Sequence, residues 1–235
     1  MTSPPVLELN NVSLSYLTNK STFDRGVHRV LDNVSMTLRD GETLGLIGKN
    51  GCGKTTILRL MAGILAPTSG VVTQRQGVTS ALLTLGLGFK PNLSGRDNVV
   101  LSAMLQGSSH GQAKAYANDI KDFAELGDSF EEPVKTYSAG MRSRLGFTTA
   151  LLTDVDIMLI DEILSVGDAQ FRKKAGAALK DRINGNQTVV FVSHNEAQVA
   201  ELCETAIWLD KGKIASQGTV EEVLDNYKES LETVR

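Results

Sequence analysis

The stretch GKNGCGKTT, residues 48–56, places three glycines, two lysines and two threonines within nine positions. The apolar run TLGLI precedes it, and the residues KTTILRLMAGI extend it with apolar side chains at helical spacing. Pro67 lies just past that second run, where a helix cannot easily continue. This pattern predicts a strand that ends at the first glycine and a helix that begins near Lys54.

The spacing of these residues fits the complete phosphate-loop pattern, which runs here from Gly48 to Thr55. Glycines let the backbone turn so that successive N–H groups point at one anion, and the positive end of the following helix faces the same anion. In such a loop Lys54 reaches the β- and γ-phosphates of a nucleotide, and the Thr55 hydroxyl binds Mg²⁺. The alternative is an ordinary glycine-rich turn. The predicted nucleotide-binding residues of the loop are Gly48, Asn50, Gly51, Cys52, Gly53, Lys54, Thr55 and Thr56.

The composition excludes several classes of protein. Of the 235 residues 41% are hydrophobic, which suffices for a packed core and is too many for a disordered chain. The net charge of −3 gives no basic field for nucleic acid. The cysteines, Cys52 and Cys203, form no disulfide framework, as expected in a reduced, cytosolic compartment. The sequence shows no signal peptide and no run of about 18 apolar residues, so we expect another chain to do any membrane spanning.

Strand patterns lie on both sides of the loop. Residues 6–17, VLELNNVSLSYL, are rich in strand-forming residues. Residues 30–48 predict two more strands with a turn at Asp40-Gly41, and residues 205–218 predict a hairpin that turns at Lys211-Gly212. These segments indicate β-structure at both ends of the chain.

Helical patterns occupy the middle and the end of the chain. Residues 94–152 are mostly helical in pattern, and Ser94 with Asp97 three positions later is typical of a helix start. The closing segment, 219–235, predicts an amphipathic helix with a capping box between its first residue, a threonine, and Glu222.

Two short apolar runs, IMLIDE (157–162) and TVVFVSHN (188–195), end in polar residues and are separated by the helical pattern AQFRKKAGAALKDRI. Runs of this length are typical of buried parallel strands. We therefore predict an α/β fold, in a single domain over residues 1–235.

Polar side chains at the ends of these runs are candidates for chemistry. Asp161 can offer a carboxylate to the Mg²⁺ beside Thr55, and Glu162 can orient or deprotonate an attacking water. On this run alone, the alternative is a strand edge with two solvated acids. His194 lies where α/β sheets bind ligands, although a lone histidine is more often structural. Ser138, in TYSAGMRSRLGF, begins a predicted helix that could bind an anion, and a plain helix cap is the alternative.

The order of phosphate loop, YSAGM, IMLIDE, SVGD and VSH resembles the nucleotide-binding subunit of ABC transporters over essentially the whole chain. The resemblance implies a P-loop NTPase fold with a mostly parallel core sheet. It also implies an N-terminal antiparallel β-subdomain and a helical subdomain over about residues 94–152. The cofactors it implies are ATP and Mg²⁺.

The resemblance also implies roles for individual residues. Ser138 and Gly140 would stand in the family signature and contact ATP, and Asp168 would end the D-loop. His194 would contact the γ-phosphate as the switch histidine. Tyr16, at the end of the first strand, would stack on adenine; the alternative is an aromatic in the core. The signature departs from the common form Leu-Ser-Gly-Gly-Gln at Tyr137, Ala139 and Met141.

The family mechanism implies a homodimer in which ATP lies between the phosphate loop of one copy and Ser138 and Gly140 of the other. Closure on ATP and reopening after hydrolysis would drive a polytopic permease, expected in two copies. The chain would then act at the cytoplasmic face of a bacterial inner membrane as a peripheral protein.

One departure narrows the resemblance. The glutamine that usually follows the third core strand is missing from residues 80–98, where Thr84 or Leu85 lies near its position, so water could complete the Mg²⁺ shell. The segments LLTLGLGFKPNLSGRDNV, FAELGD and DEILSVGDAQFRKK look like those of bacterial surface-polysaccharide exporters. The implied cargo is lipid-linked polysaccharide such as O-antigen, and we expect no C-terminal carbohydrate-binding domain. We further hypothesise that Lys90 and Arg96 receive an anionic glycan, with ordinary solvated loop charges as the alternative.

Three alternatives stay open on the sequence. The first is an exporter ATPase for capsular polysaccharide or teichoic acid, and the second is a transporter for another cargo such as drugs or ions. The third is a soluble ABC ATPase that acts on ribosomes or DNA. The single cassette, the absence of a heptad insertion and the acidic charge balance disfavour this last class.

Overall fold

The computed structural model describes residues 3–17, 26–83, 89–161, 167–193 and 195–232. The chain divides into two compact units. The first unit comprises residues 1–78 and 186–235, and the second comprises residues 79–185.

An antiparallel sheet forms one part of the first unit. Strand β1 (Pro5–Leu17) lies between β2 (Val27–Arg39) and β4 (Ser69–Gln74). Within β1, Leu9 pairs with Met36 on one side and with Val72 on the other. The predicted N-terminal antiparallel sheet is therefore confirmed.

Parallel strands form the other part of the first unit. Strand β3 (Thr43–Ile47) runs parallel to β7 (Thr188–Val192) on one side and to β8 (Thr205–Asp210) on the other. Every residue of β3 and β7 is buried, as expected for strands with both faces covered. Strand β9 (Lys213–Thr219) pairs antiparallel with β8 through the predicted turn at Lys211-Gly212.

Three helices complete the description of the first unit: α1 (Lys54–Met61), α6 (Glu196–Leu202) and α7 (Val220–Glu232). The predicted capping box before α7 is present. The Thr219 N–H donates to Glu222 Oε2 at 3.3 Å, and the Glu222 N–H donates to Thr219 Oγ1 at 3.4 Å.

The second unit contains a pair of parallel strands and the helix that follows them. Strand β5 (Ser80–Leu83) pairs with β6 (Ile157–Asp161), and α5 (Ala169–Asn184) begins after β6. These parallel pairs, with those of the first unit, confirm the predicted α/β fold with mostly parallel strands.

Helices make up the rest of the second unit. They are α2 (Gly95–Leu105), α3 (His110–Ala124) and α4 (Ala139–Leu152), with short 3₁₀ turns at Gly127–Glu131 and Val134–Thr136. Their apolar faces meet in one buried core. The buried members of this helical core are Val99, Ala117, Ile120, Ala124, Leu126, Phe130, Val134, Tyr137 and Leu145.

The structure adds elements that the sequence patterns did not predict, namely β4 and α6, and it starts β2 three residues before the predicted Val30. The turn at Asp40-Gly41 is present, but β2 and β3 belong to different sheets. Ser94 caps α2 as predicted, because its side chain accepts the Asp97 N–H. Among the helices of the described residues, none combines the length and hydropathy needed to cross a bilayer.

Candidate nucleotide-binding site

The predicted strand, loop and helix are present around residues 48–53. Strand β3 ends at Ile47, and α1 begins at Lys54. Gly53 stands at the N-cap of α1 with φ of 112°, and no side chain in the described part of the chain caps the helix there. The N–H groups of the first turn of α1 are therefore available to an external acceptor, at the positive end of the helix dipole.

Steric contacts explain the glycine at the start of the loop. Gly48 has φ of 145°, and a β-carbon there would lie 2.2 Å from the Leu209 carbonyl oxygen and 2.9 Å from Cys52 Sγ. A β-carbon on Gly53 would lie 2.7 Å from Leu31 Cδ2. The tight turn thus depends on glycine at both ends of the loop.

Lys54 is buried inside this loop, with only 7% of its surface exposed. Its Nζ donates to the carbonyl oxygens of Gly48 at 2.7 Å and Lys49 at 3.2 Å. The ammonium is thereby held at the same loop as the free N–H groups of the helix start. This arrangement concentrates positive charge and donors in a way that suits a phosphate chain.

The other predicted loop residues are in place at the surface or just below it. Asn50 and Thr55 are exposed, and Thr56 is half-buried. Cys52 is buried, and loss of solvation raises the pKa of its thiol. Thr55 can therefore offer its hydroxyl to a metal, whereas Cys52 contributes its backbone and packing.

Tyr16 lies on β1 opposite His28 and is 44% exposed. The alternative of a core aromatic is therefore wrong. Stacking on adenine stays a prediction.

The candidate metal and catalytic residues are described only in part. Asp161 is the last residue of β6 and is half-buried. Glu162 and His194 lie outside the described residues, as do Thr84 and Leu85. The roles of these side chains therefore remain predictions.

Ser138 and Gly140 stand at the start of α4. Ser138 is the N-cap, and its Oγ accepts the Met141 N–H at 3.1 Å. The side chain therefore caps the helix, which was the alternative to anion binding. Gly140 is exposed, and the nearest described atom to a β-carbon there would be Ser138 Oγ, at 3.8 Å. Both residues are open to solvent, and contact with a nucleotide stays a prediction.

The departures from the common signature have a packing explanation at Tyr137. This side chain is 3% exposed, belongs to the helical core, and donates its hydroxyl to the Ser129 carbonyl oxygen at 2.6 Å. Burial raises the pKa of Tyr137 to about 12. Met141 packs against the same core, whereas Ala139 is exposed.

Asp168 is the N-cap of α5, and its Oδ1 accepts the Phe171 N–H at 2.9 Å. Its other oxygen forms an ion pair with Arg144. The hydrogen bond from Phe171 and the charge of Arg144 lower the pKa of Asp168. No motif in the sequence pointed to Arg144 as a partner of Asp168. It is the second arginine of the segment MRSR.

The structure gives partners within the chain to Lys90 and Arg96. Arg96 Nη2 lies 2.8 Å from Glu131 Oε1, and its guanidinium carbon lies 5.1 Å from the centre of the Phe130 ring. The charge of Arg96 is therefore paired with Glu131 in an exposed ion pair, and contact with a glycan stays a prediction. The backbone of Lys90 is held by Asn98, which accepts its N–H at 2.6 Å.

Comparison with known proteins gives the family. The ABC transporter family matches residues 31–165. The chain is 41% identical over 88% of its length to the O-antigen export system ATP-binding protein RfbB of Myxococcus xanthus, and it covers 47% of that relative. It is 38% identical over 86% of its length to RfbB of Klebsiella pneumoniae and covers 81% of it. It is 41% identical over 93% of its length to the teichoic acids export ATP-binding protein TagH of Lactiplantibacillus plantarum and covers 60% of it.

Solved structures agree in fold. A dimeric ATP-binding cassette in a post-hydrolysis state, bound to ADP and Pi, has a TM-score of 0.73 at 23% identity, with 91% of this chain and 98% of that chain covered. An ATP binding subunit of an ABC transporter has a TM-score of 0.77 at 19% identity, with 95% and 93% covered. At these identities the likeness shows the fold alone. Together with the family match and the relatives, it leads to one conclusion: the chain belongs to the ABC transporter family.

Proposed function

We propose that this chain is the ATP-hydrolysing subunit of an ABC exporter that moves lipid-linked surface polysaccharide, O-antigen or a related glycan, across the cytoplasmic membrane. The observation that carries the ATPase part is the loop in which buried Lys54 and the uncapped start of α1 come together. The relatives named as O-antigen export ATP-binding proteins support the cargo. The chain spans about half of the Myxococcus relative, so this activity is assigned to it by inference.

The loop fits the triphosphate of ATP on steric and electrostatic grounds. A β-carbon at Gly48 would collide with the backbone, so the chain keeps that turn free of side chains. Lys54 now donates to carbonyl oxygens of its own loop, and the same donors can turn to phosphate oxygens. Tyr16, exposed on β1, is the proposed contact for adenine.

We assign the metal and the water to residues at strand and helix ends. Thr55 and Asp161 would supply an hydroxyl and a carboxylate oxygen, the hard ligands that Mg²⁺ prefers. ATP supplies the γ-phosphoryl group, and Mg²⁺ neutralises charge on it. Glu162 would orient or deprotonate the water, and His194 would donate a hydrogen bond to the γ-phosphate. With no glutamine in residues 80–98, water would complete the metal shell.

A second copy of the chain would complete each site. Ser138 and Gly140 are exposed at the N-terminal end of α4, where backbone N–H groups favour an anion. In a two-fold symmetric pair each α4 would meet the ATP held by its partner, with Asp168 near the shared boundary. Binding of ATP then closes the pair, and hydrolysis reopens it.

The partner of this pair would be a polytopic permease in two copies, which places the chain at the cytoplasmic face of the bacterial inner membrane. The TagH relatives favour a second candidate cargo, teichoic acid, at similar identity. Capsular polysaccharide is the third polysaccharide cargo that this function accommodates. A soluble ABC ATPase that acts on nucleic acid is disfavoured by the net charge of −3.

The test combines a pull-down from detergent-solubilised membranes with analysis of the glycans in a strain that lacks the chain. We expect a polytopic membrane protein in the pull-down and a lipid-linked glycan retained inside the cell. The chemistry of that glycan distinguishes O-antigen, capsule and teichoic acid. Normal surface glycan and no membrane partner would refute the transport function and leave the ATPase.

Complementation with variants tests the chemistry in the same strain. Glu162→Gln should keep ATP binding and fail to restore export, because the proposed base is lost. Glu221→Gln, the same change at an exposed position of α7, should restore export fully. Full export with Glu162→Gln would move the base to another residue, with His194 next in line.

A further inference from the structure

Four charged side chains connect three helices of the second unit. They are Glu125 at the end of α3, Arg144 on α4, and Asp168 and Lys174 on α5, and we call them the Arg144 cluster. Arg144 Nη1 lies 3.3 Å from Glu125 Oε2, and its Nη2 pairs with Asp168 Oδ2. Lys174 Nζ lies 3.0 Å from Glu125 Oε1. Arg144 is thus the member that joins α4 to both of its neighbours.

Packing holds the Arg144 guanidinium in place. Its central carbon lies 5.1 Å from the centre of the Phe171 ring, and Phe171 is 1% exposed. Phe171 is itself held edge-on by Phe123, at 6.0 Å between ring centres, and by Phe147, at 6.2 Å. A planar cation stacked on a fixed ring, with donors on two carboxylates, loses most of its rotamer freedom. Arg144 is therefore an oriented bridge.

Glu125 stands where α3 ends, in a backbone conformation that commonly closes a helix. Its φ is 58° and its ψ is 43°, a left-handed conformation that few residues other than glycine adopt. Lys174 anchors the same carboxylate, donates to the Phe123 carbonyl oxygen at 2.9 Å and lies 4.5 Å from the Phe123 ring centre. An isolated exposed ion pair contributes little stability. Here several contacts instead determine one geometry.

The cluster connects two segments of the chain that the proposed site uses. Arg144 is about one and a half turns along α4 from Ser138. Asp168 is the residue at which the chain enters α5 after β6 has ended at Asp161. In the sequence, Glu162 belongs to the stretch between those two aspartates. Arg144 therefore links the helix of the signature to the far end of the stretch that carries the proposed base.

We propose that Arg144 is a positioning residue for ATP hydrolysis, which keeps Asp168 in fixed register with the helix that presents Ser138 and Gly140. The inference rests on the proposed function. Loss of the bridge leaves Lys54 and its loop intact, so ATP binding persists. Turnover falls, because a catalytic group that is slightly misplaced loses much of its effect.

The test is the steady-state ATPase of the full chain, with kcat and KM measured for Arg144→Gln, Asp168→Asn and the double variant. Each single change should lower kcat about tenfold or more while KM stays within about twofold. The double variant should be no worse than the more severe single variant, because both remove one interaction. Arg172→Gln, the same change at an exposed position of α5, should leave kcat within about twofold of the wild type.

Arg144→Lys keeps the charge and the fold but replaces a planar fork with a point charge, so kcat should lie between the wild type and Arg144→Gln at an unchanged Tm. If Arg144→Gln is too unstable to assay, the kcat and KM of Arg144→Lys and Asp168→Asn are compared with those of the wild type instead. A wild-type kcat in Arg144→Gln, or losses that multiply in the double variant, would overturn the inference. A wild-type chain that neither binds nor hydrolyses ATP would instead refute the proposed function.

Discussion

Glycine has a different role at the phosphate loop than at the start of α4. At Gly48 the backbone has φ of 145°, and a β-carbon would lie 2.2 Å from the Leu209 carbonyl oxygen. At Gly140 the residue is exposed on a helix, and among the described residues the nearest atom to a β-carbon is Ser138 Oγ, at 3.8 Å. The chain itself therefore requires glycine at the first position and leaves the second position open.

This difference separates a loop whose geometry is determined within one chain from a helix end that the described chain leaves uncovered. The phosphate loop has its own anchors, because Lys54 donates to Gly48 and Lys49 and the Gly212 N–H donates to the Cys52 carbonyl oxygen. The start of α4 is instead a capped and exposed helix end. Under the proposed function, close approach of ATP bound to a second copy explains why a small residue is present there.

The largest effect is expected for Gly48→Ala. The new methyl group would overlap the backbone at Leu209, so the free energy of unfolding should fall by about 4 kcal/mol or more. Urea unfolding measures this loss. Gly51→Ala is the control, because φ there is 81° but no atom of the described residues lies within 4 Å of a β-carbon, and it should cost only about 1 kcal/mol. Equal losses in the two variants would show that backbone conformation, rather than steric overlap, determines the requirement.

Lys54→Met tests whether the ammonium of Lys54 is needed for ATP hydrolysis. The variant keeps an apolar stem and removes the ammonium, so ATP hydrolysis should fall about 100-fold or more. A coupled phosphate-release assay measures the rate, and circular dichroism checks that the fold is retained. Lys228→Met, at an exposed position of α7, should hydrolyse ATP at the wild-type rate. Comparable activity in the two variants would remove Lys54 from the site.

Gly140→Ala tests the surface on α4. Since nothing in the described chain crowds that position, stability should rise by up to about 1 kcal/mol, as is usual when alanine replaces glycine in a helix. Turnover should nevertheless fall about tenfold, because the methyl group displaces ATP held by the second copy. Gly176→Ala, in α5 and equally free of neighbours, should give the same stabilisation with normal turnover. Normal turnover in both variants would contradict the role of a second copy at α4.

The smallest effect is expected for Tyr137→Phe, which removes the hydrogen bond to Ser129 and should cost about 1 kcal/mol at neutral pH. The variant also changes the response to alkali. Burial raises the pKa of Tyr137 to about 12 in the folded chain, whereas a free phenol ionises near pH 10. The unfolded chain therefore loses this proton first, and stability declines as the pH rises from about 10 toward 12.

Tyr137→Phe should make that alkaline decline shallower, which urea unfolding at neutral pH and near pH 11 can measure. Cys203, whose pKa burial also raises to about 12, contributes the same slope to both proteins. An unchanged decline in the variant would mean that the pKa of Tyr137 is the same in the folded and unfolded chain.

Sequence patterns predicted several structures that depend on neighbours along the chain. The strand, loop and helix around Lys54, the turn at Lys211-Gly212 and the capping box with Glu222 were all predicted and are all present. Each is produced by residues a few positions apart, through backbone conformation or a local hydrogen bond. The family resemblance added the parallel and antiparallel division of the strands.

Strand β4 and one ion pair were missed because they depend on distant residues. Strand β4 (Ser69–Gln74) is mostly exposed, and it forms because Val72 pairs with Leu9, more than 60 positions away. The ion pair between Arg96 and Glu131, 35 positions further on, was likewise not predicted. Pattern analysis over a short window contains no information about such partners.

By itself, the sequence determined that a phosphate-binding loop lies between a buried strand and a helix, because glycine spacing and helix capping act locally. It also determined the order of the motifs that identifies the ABC transporter family. Only the tertiary structure decided that Lys54 is buried against its own loop, that Tyr137 fills the helical core, and that Arg144 joins Glu125 to Asp168. These contacts join residues that packing brings together, so the energy that selects them exists only once the helices and strands have met.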